Sequence, residues 1–415
     1  MTRLRVLLVA PNIDGSDVGE AFVAFKWAEA LAKLADVTVL SFERKGRPPL
    51  AEQLPGARVV TWREPRWLTR HERLNAMLKP AWPIFCRRVR HWIRAAAAAG
   101  EHFDIAHQLM PQAARYASPL VDSDLPHVIG PLGGIIETPK AFKPEVGSAA
   151  WYTRLRALDQ LRIAHDPWLR ASYAKADLVL GVAPYMRAAL GDIPIRRFET
   201  VLELGIDDLP PKVVRCREKG RLNLLHVGRG VRTKGLRDVV RSLEHLRDMP
   251  GVTLTSAGGG EEIEICRTEA VRMGVADRVR FLGRVPREEV EDLYAQADVF
   301  VFPSFREPAG GVLYEAMRWG LPIVCAKRGG PDWIVDESCG LKLDISTPEA
   351  LALDVASAVR TLADDPVLRV RMGDAARQKV AEEGLWTRKA EQMVGLYQET
   401  IDARSTGAIA AQRSL

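Results

Sequence analysis

The chain has 415 residues, 47% apolar and 27% charged, with a formal net charge of +6. It is too long for one ordinary hydrophobic core and has a globular composition, so two domains are expected and a disordered or fibrous chain is excluded. The mild positive balance points to an anionic partner, and nucleic acid, an anionic membrane surface and phosphorylated small molecules all fit it.

The first strand is expected at Leu4 to Ala10. The segment MTRLRVLLVAP starts basic and turns apolar, but its run stops at Pro11 with no small-residue cleavage site behind it. It therefore reads as a buried strand and not as a leader. A polar, Gly-bearing loop (11–19) and a helical pattern over 20–34 follow. Further strands are expected at 36–42, 57–61, 103–108, 126–132, 176–182 and 198–202. Strands alternating with helices argue for parallel sheets covered on both faces.

Two stretches interrupt that rhythm. Trp62 to Arg94 carries Arg63, Arg66, Arg70, Arg73, Lys79, Arg87, Arg88, Arg90 and Arg94 with Trp62, Trp67, Trp82 and Trp92 interleaved. One reading is a solvated helical excursion with its aromatics tucked into the core. The other is a surface lying on anionic lipid, since Trp suits the headgroup zone and Lys and Arg are drawn to phosphates. A nucleic-acid patch ranks below both, because no nucleic-acid motif accompanies it. The second stretch, Thr138 to Tyr173, is another irregular basic insert.

At 209–220 two prolines and a basic polar run read as a linker. The rhythm then restarts with strands expected at 222–227, 252–257, 279–282, 298–302, 322–326 and 340–344. Helices are expected over 366–383 and 386–403, and a frayed tail over 405–415. Cys86, Cys216, Cys266, Cys325 and Cys339 are scattered with no Cys-x-x-Cys spacing, which reads as free thiols in a reducing compartment. No apolar run approaches the ~18 residues of a membrane span. A cytoplasmic protein is expected, with any membrane contact peripheral.

Ligands of doubly wound sheets sit at the carboxyl ends of strands, so the loops after strands carry the candidate chemistry. Gly228-Arg229-Gly230 and Lys234-Gly235 can neutralise a diphosphate, though the spacing is not that of a Walker loop. Gly258, Gly259 and Gly260 permit close backbone approach. Gly283-Arg284-Val285 and Arg328-Gly329-Gly330 follow later strands. Glu307 and Glu315 flank a Pro-Ala-Gly-Gly turn that opens a helix, where free N–H groups attract anions. Two carboxylates beside such N–H groups point to a ligand bearing both phosphates and hydroxyls.

In order and spacing these segments resemble the family-4 glycosyltransferases of the GT-B fold. The matching stretches are HVGR (226–229), KG (234–235), AGGG (257–260), VRFLGRVP (279–286), ADVFVFPS (297–304), EPAGGVLYEA (307–316), GLPIV (320–324) and GG (329–330). The resemblance implies an α/β chain of two Rossmann-like domains with parallel sheets facing a central cleft. The domains would be 1–208, for the acceptor, and 221–385, for a nucleotide-sugar donor, with the helix 386–403 packing back on the first. It implies that Arg229 and Lys234 bind the diphosphate. Glu307 would accept hydrogen bonds from the transferred sugar and Glu315 from the ribose. The backbone of Ala309, Gly310, Gly311 and Val312 would meet the sugar and distal phosphate, and Gly283 to Val285 the base. Gly228, Gly258 and Arg284 complete the donor loops, and Gly19 could approach the diphosphate from the first domain.

The function implied is a retaining hexosyl transfer from a nucleotide-diphosphate sugar, and the basic, Trp-bearing stretch points to a glycan or lipid-linked acceptor in cell-envelope synthesis. No cofactor, metal or nucleic acid is expected. His107, in Asp104-Ile-Ala-His107, resembles a recurring family position and is a catalytic candidate, with a structural histidine as the alternative. The family's usual histidine after the next strand is replaced by Gly130-Pro131-Leu132-Gly133-Gly134. The alternative functions are an epimerase or phosphorylase of the same fold, or a non-catalytic nucleotide-sugar or glycan-binding subunit.

Overall fold

Arg5–Val9 and Leu222–Val227 show why this chain builds parallel sheets. Val and Leu dominate both runs, and both are largely buried. Such a strand needs cover on both faces, which helices flanking a parallel sheet provide. The structure, a computed structural model, describes residues 3–44, 46–65, 79–146, 157–215 and 221–413. Arg66, Trp67, Arg70 and Arg73 of the first basic stretch, residues 147–156 of the second, Cys216 and the linker's 216–220 lie outside the described residues.

The first sheet comprises β1 (Arg5–Val9), β2 (Asp36–Glu43), β3 (Arg58–Arg63), β4 (Ile105–Gln108), β5 (His127–Leu132), β6 (Leu178–Gly181) and β7 (Phe198–Thr200). Its order is β3-β2-β1-β4-β5-β6-β7, and every pairing is parallel. The second comprises β8 (Leu222–Val227), β9 (Val252–Ala257), β10 (Val279–Gly283), β11 (Val299–Phe302), β12 (Ile323–Ala326) and β13 (Gly340–Leu343). Its order is β10-β9-β8-β11-β12-β13, again all parallel. These are the two Rossmann-like sheets expected. In each the order reverses once, between β1 and β4 and between β8 and β11, and loops leaving the two strands at such a point open a crevice.

Two units result, one of residues 1–135, 151–203 and 386–415, the other of residues 136–150 and 204–385. Residues 136–146 thus belong with the second sheet although they lie far upstream of it in sequence. Residues 209–215 of the stretch read as a linker are described. Arg215 donates to the carbonyls of Ala297 (2.6 Å), Trp319 (2.9 Å) and Tyr294 (3.0 Å), which pins the segment to the second unit.

Helix starts follow local chemistry. Asp166, Thr347 and Asp365 each accept a backbone N–H of the turn they precede, and each is followed by proline at the first helical position, where proline's missing donor costs nothing. The last helix, Trp386–Arg413, is longer than expected and takes in most of the stretch read as a frayed tail. It packs in the first unit, where Trp386 meets Trp27 edge to face with ring centroids 5.4 Å apart.

Trp62, Trp82 and Trp92 of the first basic stretch turn inward. Trp82 is buried and donates from Nε1 to the Ala117 carbonyl at 3.0 Å, and Trp62 and Trp92 pack against the same core cluster. Their burial matches the solvated-helix reading. Arg63, Arg87, Arg88 and His91 line an open groove of about 700 Å³ beside Trp62 and Trp92.

Candidate functional site

The strand reversal in the second sheet brings two candidate loops together. β8 and β11 pair in parallel with Val299 opposite Leu224, so the loops after Val227 and Phe302 leave side by side. The first runs through Gly228, Arg229 and Gly230 into a short 3₁₀ turn, Arg232–Lys234. The second runs through Ser304 and Phe305 to Glu307. Ser304 Oγ donates to the Thr233 carbonyl at 2.9 Å and locks the loops to each other. Lys234 Nζ then bonds the Glu307 carboxylate. Both side chains are mostly buried, 14% and 12% exposed, so neither charge is fully solvated. His226, on β8, is buried and donates from Nε2 to the Lys234 carbonyl at 3.0 Å, fixing the backbone that aims the lysine.

Beyond Glu307 the chain prepares a helix N-terminus. Gly330 N–H donates to the Glu307 carbonyl at 3.0 Å. Gly310 has φ 90° and caps the helix Gly311–Arg318 in a left-handed conformation that a side chain would strain. No side chain caps this helix, so its first N–H groups, on Gly311 and Val312, point outward without intrahelical acceptors. Ala309 beside them is buried. Glu315 lies one turn on and accepts from the Tyr294 hydroxyl at 3.1 Å. Burial holds its carboxyl above the usual range, and the Tyr294 bond opposes that shift.

The neighbouring loops close one side of the site. A Cβ on Gly258 would stand 1.8 Å from the Gly228 carbonyl oxygen, so the loops after β8 and β9 can touch only because this residue is glycine. Gly258 N–H donates to the Gly283 carbonyl at 2.7 Å, which ties in the loop carrying Arg284 and Val285. Arg284 lies across Gly259 and is exposed, as is Arg229. The second unit thus gathers Arg229, Lys234, Glu307, Glu315 and the glycine loops on one edge of its sheet.

Gly19 and His107 belong to the first unit. Gly19 caps the helix Glu20–Ala32 with φ 68°. His107 is fully buried, with Nδ1 2.6 Å from the Tyr397 hydroxyl and Nε2 2.7 Å from the Gly130 carbonyl. Both ring nitrogens are engaged, so its surroundings match the structural alternative, with His107 holding the Gly130-Pro131 loop. Asp104 accepts the Arg5 N–H at 2.7 Å and is equally structural. Sequence reasoning gave no role to His226, Tyr294, Ser304 or Arg232. His226 stood inside a quoted motif, and only the partner of its ring was out of sight.

Burial pushes the imidazoles of His107 and His226 down to about 4. An unfolded histidine titrates near ~6.5, so between ~6.5 and 4 the unfolded chain takes protons that the folded chain refuses. This stabilisation is complete above ~6.5 and falls by roughly 1.4 kcal/mol per pH unit for each histidine as pH drops. Melting temperature is expected to decline steeply from pH 7 to 4.5, with a shallower decline in His226→Gln. A flat profile in the parent chain contradicts this.

Residues 215–379 match the family described as glycosyl transferases group 1. The matched stretch lies in the second unit, and the chain has the GT-B fold. Glycogen synthase of Mycobacterium tuberculosis is 34% identical over 201 residues, 48% of either chain. The GDP-mannose-dependent alpha-(1-6)-phosphatidylinositol monomannoside mannosyltransferase of Mycolicibacterium smegmatis is 29% identical over 55% of this chain and 64% of its own. The chain spans about half the length of the first curated relatives it matches. Among solved structures, Anabaena HepE in complex with UDP superposes with a TM-score of 0.61 at 18% identity, over 95% of this chain and all of its own (100%). Among the described residues no group of His, Cys, Asp and Glu is placed to hold a metal ion, and no helix is long and apolar enough to cross a membrane.

Proposed function

We propose that the chain is a retaining glycosyltransferase that moves a hexose-type sugar from a nucleoside-diphosphate sugar to a glycan or lipid-linked acceptor of the cell envelope. The observation that carries this reading is the Lys234–Glu307 pair at the strand reversal, beside the uncapped N-terminus of Gly311–Arg318. As the nucleoside diphosphate departs, negative charge builds on its β-phosphate. Lys234, Arg229 and the helix N–H groups oppose that charge from fixed positions in a partly water-free site. These cations let the donor side work without a metal. Glu307 accepts hydrogen bonds from the sugar hydroxyls as the ring gains positive character. Glu315, one turn further along, accepts from the ribose. The departing phosphate takes the acceptor's proton, so the chain needs no separate base.

The test is thermal melting with UDP-, GDP- and ADP-sugars in turn. A ligand at a hundredfold excess over its Kd stabilises by about 2.7 kcal/mol, which a melting curve resolves. One of the three classes is expected to raise the melting temperature, and no response to any of them rejects the donor site. Contact of the first unit with an anionic membrane is part of the proposal, supported by the basic groove at Arg63, Arg87, Arg88 and His91. Binding to anionic vesicles is expected to weaken as salt rises, because exposed charges are screened beyond ~10 Å at 0.1 M. Absent or salt-independent binding rejects that contact.

A further inference from the structure

Residues 136–146 form a strap that follows β5 in sequence and packs in the second unit. It runs along the loops of the candidate site. At its start, Ile136 lies against Gly329, and the Glu137 carbonyl accepts from Arg328 Nη2 at 2.9 Å. Further along, Phe142 is fully buried and its ring meets that of Phe305 with centroids 4.4 Å apart. The Arg232 guanidinium lies 5.3 Å from the Phe142 ring and 5.2 Å from the Phe305 ring. At its end, the Glu145 carboxylate accepts from Arg232 Nε at 2.7 Å and pairs with Arg241 at 2.8 Å, with Arg237 at 3.9 Å.

Arg232 links the strap to the chemistry. It opens the 3₁₀ turn that ends in Lys234, is 4% exposed, and holds Asp238 with two bonds of 2.6 and 2.8 Å. A guanidinium gripped on two sides by carboxylates and packed against two rings has no other rotamer to adopt without leaving buried charge unpaired. The turn behind it is then fixed, and so is the direction of Lys234. Phe305, on the other side, stands two residues before Glu307. The strap therefore touches both loops that supply the Lys234–Glu307 pair.

We propose that the strap is a positioning element of the nucleotide-sugar site, with Glu145 as a positioning residue that aims Lys234 at the diphosphate through Arg232. The inference rests on the donor reading above. It makes the diphosphate geometry depend on a segment upstream of the loop it steadies, with Glu145 and Arg232 standing 87 residues apart along the chain.

The experiment measures affinity by calorimetry for whichever of UDP, GDP and ADP the parent chain binds, and for the matching monophosphate. Glu145→Gln keeps the shape and removes the charge. It is expected to weaken diphosphate binding at least tenfold and to change monophosphate binding less than twofold. A purely structural role would weaken both alike. Lys143→Ala, an exposed change on the same strap, is expected to alter neither. Equal affinities in Glu145→Gln and the parent, or an equal loss for both ligands, overturn the strap proposal and leave the donor reading standing. A parent chain that binds no nucleoside diphosphate overturns both. Should Glu145→Gln fail to fold, Phe142→Leu is read by the same criterion, with selective loss expected and unchanged or parallel affinities overturning the proposal.

Discussion

Glu307→Ala is expected to lower turnover at least ~1000-fold, about 4 kcal/mol of transition-state stabilisation, while nucleoside diphosphate binds as tightly as before or more tightly. In the proposed reaction the carboxylate meets the sugar, whose ring gains positive character only as the bond breaks. Its contribution therefore falls on kcat and not on ground-state binding. Removing it also frees Lys234, which it holds in a mostly buried ion pair, so the cation becomes more available to the phosphates. The check is a steady-state assay beside calorimetric titration of the diphosphate. Full activity in the variant rejects the role of Glu307, and a parallel loss of diphosphate affinity moves it from the sugar to the phosphates.

Lys234→Ala is expected to cost roughly a hundredfold in nucleoside diphosphate affinity, ~2.7 kcal/mol, the scale of a charge-assisted bond in a partly buried site. It also leaves the Glu307 carboxylate, 12% exposed, without its lysine partner. An unpaired buried charge destabilises by several kcal/mol, about 3–5 where burial is complete, so the melting temperature should fall as well. The double variant Lys234→Ala, Glu307→Ala removes the orphaned charge and is expected to melt higher than Lys234→Ala alone. This thermodynamic cycle separates the pair's mutual energy from the effect of either side chain. Undiminished diphosphate affinity in Lys234→Ala, or a double variant that melts lower than the single, contradicts the arrangement.

Much of the fold was legible because its signals are local. A run such as Val299–Phe302 is apolar at every position, and that pattern alone predicts a strand covered on both faces. The loops after β8, β9 and β11 stood out because glycine clusters and basic residues follow those runs directly. Residues 405–413 are mostly small, and the last helix runs through them to Arg413. Of the interleaved tryptophans in the first basic stretch, those on the helix Trp82–Ala98 lie toward its inward-facing side. Trp82 and Trp92 follow that inward face to the core.

The amino-acid sequence by itself determined that this chain builds two parallel α/β sheets, and which loops carry cations, carboxylates and glycines. Those properties follow from hydrophobic periodicity and from residue chemistry within a few positions. Tertiary structure alone decided which of them meet. Lys234 reaches Glu307 across 73 residues because β8 and β11 are neighbours at the strand reversal. His107 could be read as catalytic or structural, and the last helix brings Tyr397 to its ring from 290 residues away. Glu145 carried no role within the irregular insert Thr138 to Tyr173 until the fold laid it against Arg232. Each pairing is set by strand order and by packing between distant segments, and neither quantity is written in any local stretch of the chain.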